Sequence, residues 1–193
     1  MPLIDRAASV LVVVDAQPGF SGSNEESAAP AARSRDVAAW LTGVATALGV
    51  PVVVTEEDPA TNGPTDAGIL ARLPDRTPVL TKSTFGIADE PAILRAVEST
   101  GRRTVVIVEA ETDVCVAQSA IGLHDRGFRV VVVSDATFSP GAMHEHGLRQ
   151  LRDAGIEVRH AKGVYYDWVR TLDAARAFEA GHPDLAEPPG FRL

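Results

Sequence analysis

Residues 10–14 of the chain have the sequence Val-Leu-Val-Val-Val, and Asp15 follows them directly. Five consecutive apolar residues leave no polar face, which predicts a β-strand that is buried on both sides. Strands of this kind occur in parallel sheets with helices packed against both faces. The stretch therefore predicts an α/β fold in which Asp15 lies at the carboxyl end of a buried strand.

The rest of the chain alternates short β-branched runs with helical patterns. Further strands are predicted at 50–55, 78–82, 104–109, 129–133 and 156–160. Helices are predicted at 34–49 with Ser34 as the N-cap, and at 67–73, 112–126, 140–154 and 167–180; another begins at 89–91. The acidic, Pro- and Gly-containing segment 56–64 is expected to be a loop. Such alternation predicts a six-stranded, mostly parallel sheet with helices on both faces.

Composition narrows the class of protein. The chain has 193 residues, a size that one domain (1–193) accommodates, and its Pro-rich tail begins at about residue 181. A formal net charge of -8 disfavours binding to nucleic acid or to anionic lipid. The single cysteine cannot form an internal disulfide, and no segment approaches the roughly 18 apolar residues of a membrane span. We therefore expect a cytoplasmic protein with a small-molecule partner and with no nucleic-acid or membrane partner.

Three residues with useful chemistry follow predicted strands: Asp15, Lys82 and Cys115. Ligands of parallel sheets bind at the carboxyl ends of the strands. Partial burial of Asp15 would raise the pKa of its carboxyl group and suit it to proton transfer. An ammonium group at Lys82 would stabilise a thiolate or an oxyanion, and Cys115 lies in the first turn of a predicted helix, where free N–H groups favour a thiolate.

Each of these residues also has a simpler explanation. Asp15 fits a turn cap, Lys82 a solvated loop lysine, and Cys115 a buried structural thiol. Three complementary groups at three strand ends are more specific than any one of them. The acidic segment 56–58 could bind a cation or a metal, but its spacing is not diagnostic of such a site, and a solvated loop is the simpler explanation.

Three segments resemble the isochorismatase-like cysteine hydrolases, which include nicotinamidases, N-carbamoylsarcosine amidases and ureidoacrylate amidohydrolases. The segments are 11–17 (Leu-Val-Val-Val-Asp-Ala-Gln) with Phe20, 80–82 (Leu-Thr-Lys) with Phe85 and Gly86, and 108–116 (Val-Glu-Ala-Glu-Thr-Asp-Val-Cys-Val). The resemblance extends from the first strand to about Ala154, which is most of the chain.

The resemblance implies a three-layer αβα fold with Asp15, Lys82 and Cys115 as a catalytic triad. It also implies a cis peptide bond at Ala110–Glu111. That bond would turn the Glu111 N–H toward the same point as the Cys115 N–H, and the two would form an oxyanion hole. Members of the superfamily commonly form dimers or tetramers, so we expect a homo-oligomer, with the tail at an interface or over the surface.

The expected substrate pocket includes Phe20 and Phe85, which are close in sequence to triad members, and Trp168 is a further candidate. Glu56, together with Glu111, is expected to favour cationic or amine-bearing substrates. If Glu56→Gln and the wild type turned over neutral and cationic analogues equally, this hypothesis would lose its basis.

The sequence departs from the nicotinamidases after the second strand. Those enzymes carry an Asp-x-His metal motif there, whereas residues 55–59 are Thr-Glu-Glu-Asp-Pro. We therefore expect no metal and no cofactor. True isochorismatases lack the cysteine, so Cys115 favours hydrolysis of a C–N bond in a small non-peptide amide or ureide. The alternatives are hydrolysis of a vinyl ether by Asp15, and a non-catalytic or redox-sensing protein.

Overall fold

The computed structural model describes residues 2–21 and 25–193. Within these ranges, six strands form one sheet: β1 (Ser9–Val14), β2 (Val52–Glu57), β3 (Val79–Lys82), β4 (Thr104–Ala110), β5 (Arg129–Phe138) and β6 (Glu157–Arg159). The α-helices are α1 (Glu25–Ala47), α2 (Pro59–Asn62), α3 (Ala67–Leu70), α4 (Pro91–Ser99), α5 (Ala117–Asp125), α6 (Met143–Asp153), α7 (Ala161–Val169) and α8 (Leu172–Gly181). None of these described helices is long and apolar enough to cross a membrane.

All neighbouring strands are parallel, in the order β3-β2-β1-β4-β5-β6. The predicted three-layer αβα fold with a six-stranded sheet is therefore confirmed. The chain builds outward from β1 to β3 on one side and from β4 to β6 on the other, so the strand order reverses between β1 and β4. Sheets of this type bind ligands outside the carboxyl ends of the strands at that reversal.

The two faces of the sheet carry separate hydrophobic cores. Val13 of β1 lies in one core with residues of α1, α7 and α8, and Val12 lies in the other with residues of α4, α5 and α6. Both valines are fully buried. Because both faces of β1 are covered, Asp15 is the first polar side chain after the apolar run 10–14, and it lies beyond the carboxyl end of the strand.

The boundaries of several predicted elements are wrong: β5, for example, extends to Phe138 instead of ending at residue 133. Three further errors concern the first helix, the last helix and β2. The first helix begins at Glu25 rather than Ser34, whose hydroxyl group bonds to Ala31 within the helix. The helix predicted at 167–180 is two helices that are interrupted at Arg170, where φ is 70°. The third error is β2, which extends through two residues predicted to lie in a loop, because these pair with β3.

Trp168 lies away from the carboxyl end of β1, and the tail packs against α1. Trp168 is buried and donates from Nε1 to Ser9 Oγ at 3.3 Å. Because Ser9 begins β1, Trp168 lies at the opposite end of this strand from Asp15, and the expectation that it lines the pocket is wrong. The tail packs on its own chain: Trp40 Nε1 donates to the Leu185 carbonyl at 2.8 Å, and the Phe191 ring packs edge-on against Trp40.

Candidate active site

Asp15 is held at the carboxyl end of β1 by the neighbouring strand β2. Its backbone N–H donates to the Thr55 carbonyl at 3.1 Å, and Thr55 Oγ1 donates to Asp15 Oδ1 at 2.9 Å. The backbone of Asp15 has φ of 53°, a left-handed conformation that ends the strand. The side chain is fully buried. One carboxylate oxygen is thus fixed by Thr55, which leaves Oδ2 for another partner.

Lys82 supplies that partner from the edge strand β3. Its Nζ lies 2.7 Å from Asp15 Oδ2, and its side chain is fully buried. The same ammonium group donates to the Thr84 carbonyl at 3.0 Å and contacts Cys115 Sγ at 3.6 Å. The structure therefore brings together the three residues that the sequence proposed as a triad.

Cys115 lies in a single π-helical turn, Thr112–Val116, between β4 and α5. Turns of this kind are rare and often occur at functional sites. Its side chain is part of the core beneath α4, α5 and α6, and the residue is 2% exposed. The sulfur is therefore covered by other groups in this conformation.

Glu57 is the site residue that the sequence analysis missed. Its Oε2 accepts from Lys82 Nζ at 2.9 Å and from the Cys115 thiol at 3.2 Å. Its side chain is 19% exposed, whereas those of Asp15 and Lys82 are fully buried. Glu57 therefore lies on the solvent side of the cluster. Alternate side chains of a strand lie on the same face. A strand that extended two residues beyond Thr55 would therefore have placed Glu57 on the same face as Thr55.

Burial and charge act together on the ionisation of the cluster. Burial raises the pKa of Asp15, and this effect is larger than the opposing effect of Lys82 and Thr55, which lower it. Burial disfavours the charged form of Lys82, but Asp15 and Glu57 outweigh this effect and raise its pKa. The pKa of the Cys115 thiol is raised well above its usual value by burial and by the charges of Asp15 and Glu57, which Lys82 only partly offsets. In this closed arrangement the cysteine is a thiol.

The peptide bond between Ala110 and Glu111 is cis. The Glu111 carbonyl accepts from the N–H groups of Val114 and Val116, which fixes the start of the turn that carries Cys115. Within the described residues, the Glu111 N–H donates no hydrogen bond, so it is available to a ligand. The Glu111 side chain is half-buried, and its pKa is raised by burial and by the nearby charges of Asp113 and Glu57.

The three residues predicted to line the pocket lie in different places. Phe85 is 54% exposed and lines a depression of about 460 Å³ together with Glu57, Asp58, Thr81 and Lys82, among others. Phe20 is half-buried in a short 3-10 helix after β1 and does not line this depression. Glu56 points away from the cluster, because its Oε1 accepts from the N–H and hydroxyl groups of Thr65. The structure thus puts Glu57, and not Glu56, at the site.

The isochorismatase domain model matches residues 9–162 of the chain, a span that includes Asp15, Lys82 and Cys115. The chain belongs to the isochorismatase family. This confirms the resemblance on which the expected fold and site were based.

Relatives within the isochorismatase family indicate a hydrolase. The chain is 26% identical over 188 residues to the probable hydrolase YcaC of Escherichia coli, covering 94% of this chain and 89% of YcaC. The crystal structure of that protein, described as an octameric hydrolase of unknown specificity, superposes with a TM-score of 0.81 at 23% identity, covering 96% of this chain and 93% of the other.

Two further proteins are similar over most of the chain. Isochorismatase domain-containing protein 2 of Bos taurus is 30% identical over 155 residues, which are 78% of this chain and 69% of the bovine protein. A structure described as MAR1 ribonuclease from Caenorhabditis elegans has a TM-score of 0.83 at 25% identity, covering 100% of this chain and 98% of the other.

Asp15, Glu57 and Cys115 also have the composition of a metal site, since their ligand atoms lie within 4.8 Å of one another. The Lys82 ammonium, however, lies within 2.7 Å of Asp15, 2.9 Å of Glu57 and 3.6 Å of Cys115. A metal ion bound by these three ligands would have to displace a buried cation that already contacts all three of them. The donor set therefore fits Lys82 better than a metal.

A second buried carboxylate, Glu109, lies just before the cis peptide. It has φ of 86°, and its Oε2 is 4.0 Å from Arg35 Nε of α1. Its Oε1 has no hydrogen-bond partner among the described residues. Burial raises the pKa of Glu109 to about 8, although Arg35 lowers it. Because α1 and α5 cover opposite faces of the sheet, Glu109 faces away from the helix that follows Cys115.

Proposed function

We propose that this isochorismatase-family hydrolase is a cysteine-dependent amidohydrolase that cleaves the C–N bond of a small non-peptide amide or ureide. The observation that carries the proposal is the position of Lys82 Nζ, 2.7 Å from Asp15 Oδ2 and 3.6 Å from Cys115 Sγ. A thiol, a carboxylate and a fixed cation in contact are the parts needed for nucleophilic catalysis with proton transfer.

In the first half of the reaction, Asp15 accepts the thiol proton of Cys115. Its raised pKa makes it a stronger base than an ordinary carboxylate. The sulfur attacks the carbonyl carbon, and the negative charge that develops on oxygen is stabilised by the N–H groups of Glu111 and Cys115. The C–N bond then breaks as Asp15 returns the proton to the leaving nitrogen, and a thioester with Cys115 remains.

In the second half, water replaces the leaving amine or ammonia. Asp15 accepts a proton from this water, which attacks the thioester carbon. The carbon–sulfur bond breaks, the proton returns to the sulfur, and a carboxylic acid product leaves. Lys82 remains charged throughout and keeps Asp15 oriented toward the reacting atoms.

The burial of Cys115 counts against the redox-sensing alternative. Peroxide sensors use exposed thiols of low pKa. Cys115 is 2% exposed, and burial and adjacent carboxylates raise its pKa. The vinyl-ether alternative uses Asp15 without Cys115, so a cysteine variant separates it from amide hydrolysis.

The name of the Caenorhabditis elegans neighbour suggests a ribonuclease as another candidate. The formal net charge of -8 disfavours RNA as a substrate, because phosphodiester backbones are bound by basic surfaces. Glu57 and Asp58 line the depression beside the cluster and would repel a phosphate group. A small neutral or cationic amide suits these surroundings better.

The octameric assembly described for Escherichia coli YcaC supports a homo-oligomer for this chain as well. We infer an assembly of several copies, and light scattering of the purified protein tests it, with a monomeric mass as the contradicting result. The cytoplasmic location, expected from the single cysteine and from the lack of a sufficiently long apolar segment, remains part of the proposal.

The direct test is turnover of a panel of small amides, ureides and vinyl ethers by wild type, Cys115→Ala and Asp15→Asn. The proposal expects hydrolysis of at least one amide or ureide, with loss of activity by about three orders of magnitude or more in both variants. Full activity of Cys115→Ala on the best substrate, or cleavage of vinyl ethers only, would contradict the proposal.

A further inference from the structure

The depression beside Cys115 has an acidic and aromatic lining. Glu57 and Asp58 contribute carboxylates, and Phe85 contributes a largely exposed ring. Lys82 is the cation in this lining, and its charge is already matched by contacts with Asp15 and Glu57. The surroundings of the nucleophile therefore carry excess negative charge.

Glu57 contacts Cys115 and also lines this depression. Its carboxylate bonds to the thiol through Oε2, while Oε1 accepts no hydrogen bond from any residue that the structure describes. Cys115 is 2% exposed, and the Glu57 carboxylate is one of the groups in contact with its sulfur. A turn of the Glu57 side chain outward, away from the sulfur, would remove that contact.

The backbone of Glu57 is fixed, so this movement is confined to the side chain. The Glu57 N–H donates to Gln17 Oε1 at 2.7 Å, and the Glu57 carbonyl accepts from Gln17 Nε2 at 3.0 Å and from Asn62 Nδ2 at 2.9 Å. Rotation about the side-chain bonds would carry the carboxylate from the thiol toward the depression that Phe85 lines. A cation bound in the depression would replace the Lys82 contact that the carboxylate gives up.

We propose that Glu57 determines specificity: the substrate is an amide that carries an ammonium, amidinium or guanidinium group, which Glu57 binds in the depression against Phe85. A cation over an aromatic ring and beside a carboxylate is stabilised by both. Glu111 adds a second, half-buried carboxylate whose ionisation responds to Glu57. Binding of the substrate cation thus draws Glu57 away from Cys115 and opens the site. This inference deepens the proposed function and rests on it.

The test uses alkylation of Cys115, which needs no hydrolysis and no knowledge of the substrate. Cys115 is the only cysteine, so intact mass reports its modification directly. The probes are 2-bromoethylamine, a cation; iodoacetamide, which is neutral; and iodoacetate, an anion. In each case the sulfur displaces a halide ion, and the thiol proton is lost to solvent. Each rate is divided by the rate for N-acetylcysteinamide, a neutral free thiol.

The proposal expects the normalised rate for 2-bromoethylamine to exceed that for iodoacetamide by about tenfold, which is a modest effect for one charge at close range. The normalised rate for 2-bromoethylamine should decrease with added salt. Iodoacetate should be slower than both. Glu57→Gln should abolish most of the preference, whereas Glu56→Gln, the adjacent carboxylate that bonds to Thr65, should retain it. A preference that Glu56→Gln reduces as much as Glu57→Gln contradicts the assignment to Glu57.

Normalised rates that are equal for all three probes on wild type contradict the proposal, even if Glu57→Gln fails to fold. Failure of the proposed function looks different. In that case the charge preference would be present, but no amide in the panel would be hydrolysed. A cysteine-dependent hydrolase of neutral amides without any charge preference would overturn this inference and leave the proposed function intact.

Discussion

Lys82 Nζ lies 2.7 Å from Asp15 Oδ2, and both side chains are fully excluded from solvent. The pair joins the edge strand β3 to the central strand β1 across β2. Because a buried charge without its partner is very unfavourable, this contact links the stability of the fold to the composition of the site.

Lys82→Met should destabilise the protein by about 3–5 kcal/mol, since it leaves the buried Asp15 carboxylate without a cation. The double variant Asp15→Asn/Lys82→Met should lose less free energy of unfolding than the sum of the losses in the single variants Asp15→Asn and Lys82→Met. Urea unfolding of all three variants measures this. Arg176→Ala is the control, because Arg176 and Asp173 form an exposed pair on α8, and it should change the free energy of unfolding little.

Glu109 should make the folded state less stable as the pH rises. Its pKa in the folded state is about 8, against 4.5 for the unperturbed group, so the folded state retains a proton that the unfolded state has lost. The contribution of the protonated Glu109 to the free energy of unfolding is fully present below about pH 4.5. It decreases, by on the order of 1 kcal/mol per pH unit, as the pH rises toward 8. Glu109→Gln should remove this dependence.

The measurement is urea unfolding of wild type and Glu109→Gln at several pH values across that interval. Glu98→Gln, at an exposed position on α4, provides the matched control and should follow the wild-type curve. Parallel curves for wild type and Glu109→Gln would show that Glu109 is not protonated in the folded protein.

Glu57→Gln should shift alkylation of Cys115 by iodoacetamide to lower pH. Burial and Asp15 raise the pKa of the thiol most, and the Glu57 carboxylate, 3.2 Å from the sulfur, raises it further. Removal of that negative charge stabilises the thiolate, so at a fixed pH the rate should increase by about tenfold, which corresponds to one pKa unit. A pH–rate curve that stays in place, or moves to higher pH, would contradict this account of Glu57.

Phe191→Ala should destabilise the protein by about 1–3 kcal/mol through loss of buried apolar area and of an edge-on aromatic contact. Phe191 packs against Trp40 of α1 at a ring-centroid distance of 5.3 Å. Leu172→Ala is the control, because Leu172 is 73% exposed. Equal thermal midpoints for the two variants would show that the tail contributes nothing to folding. The result would also show whether the tail is free to serve an interface between copies.

The residues that sequence analysis identified share one property: their neighbours along the chain determine their position. Asp15 follows the five apolar residues that end β1, and Cys115 follows β4, so the end of each strand could be predicted from its apolar run. Together with Lys82 at the end of β3, these positions gave the cluster that the structure brings together.

The residues that sequence analysis missed depend on pairing between distant segments. Glu57 lies in β2 because Glu56 and Glu57 pair with Thr81 and Lys82 of β3. The alternation of a strand would place Glu57 beside Thr55, but nothing in the acidic segment itself indicates that the strand extends that far. Local propensity also failed at Arg170, where a left-handed backbone divides one predicted helix into two. The cis peptide came from the family resemblance alone.

The central claim is that Cys115 carries the acyl group during turnover. Intact mass of the protein, quenched in acid during turnover of the best amide or ureide from the panel, tests this most directly. The account predicts that the mass of a fraction of the wild type increases by that of the acyl group, that the adduct maps to Cys115, and that Cys115→Ala shows none. Full turnover by Cys115→Ala, or an adduct on another residue, would contradict it.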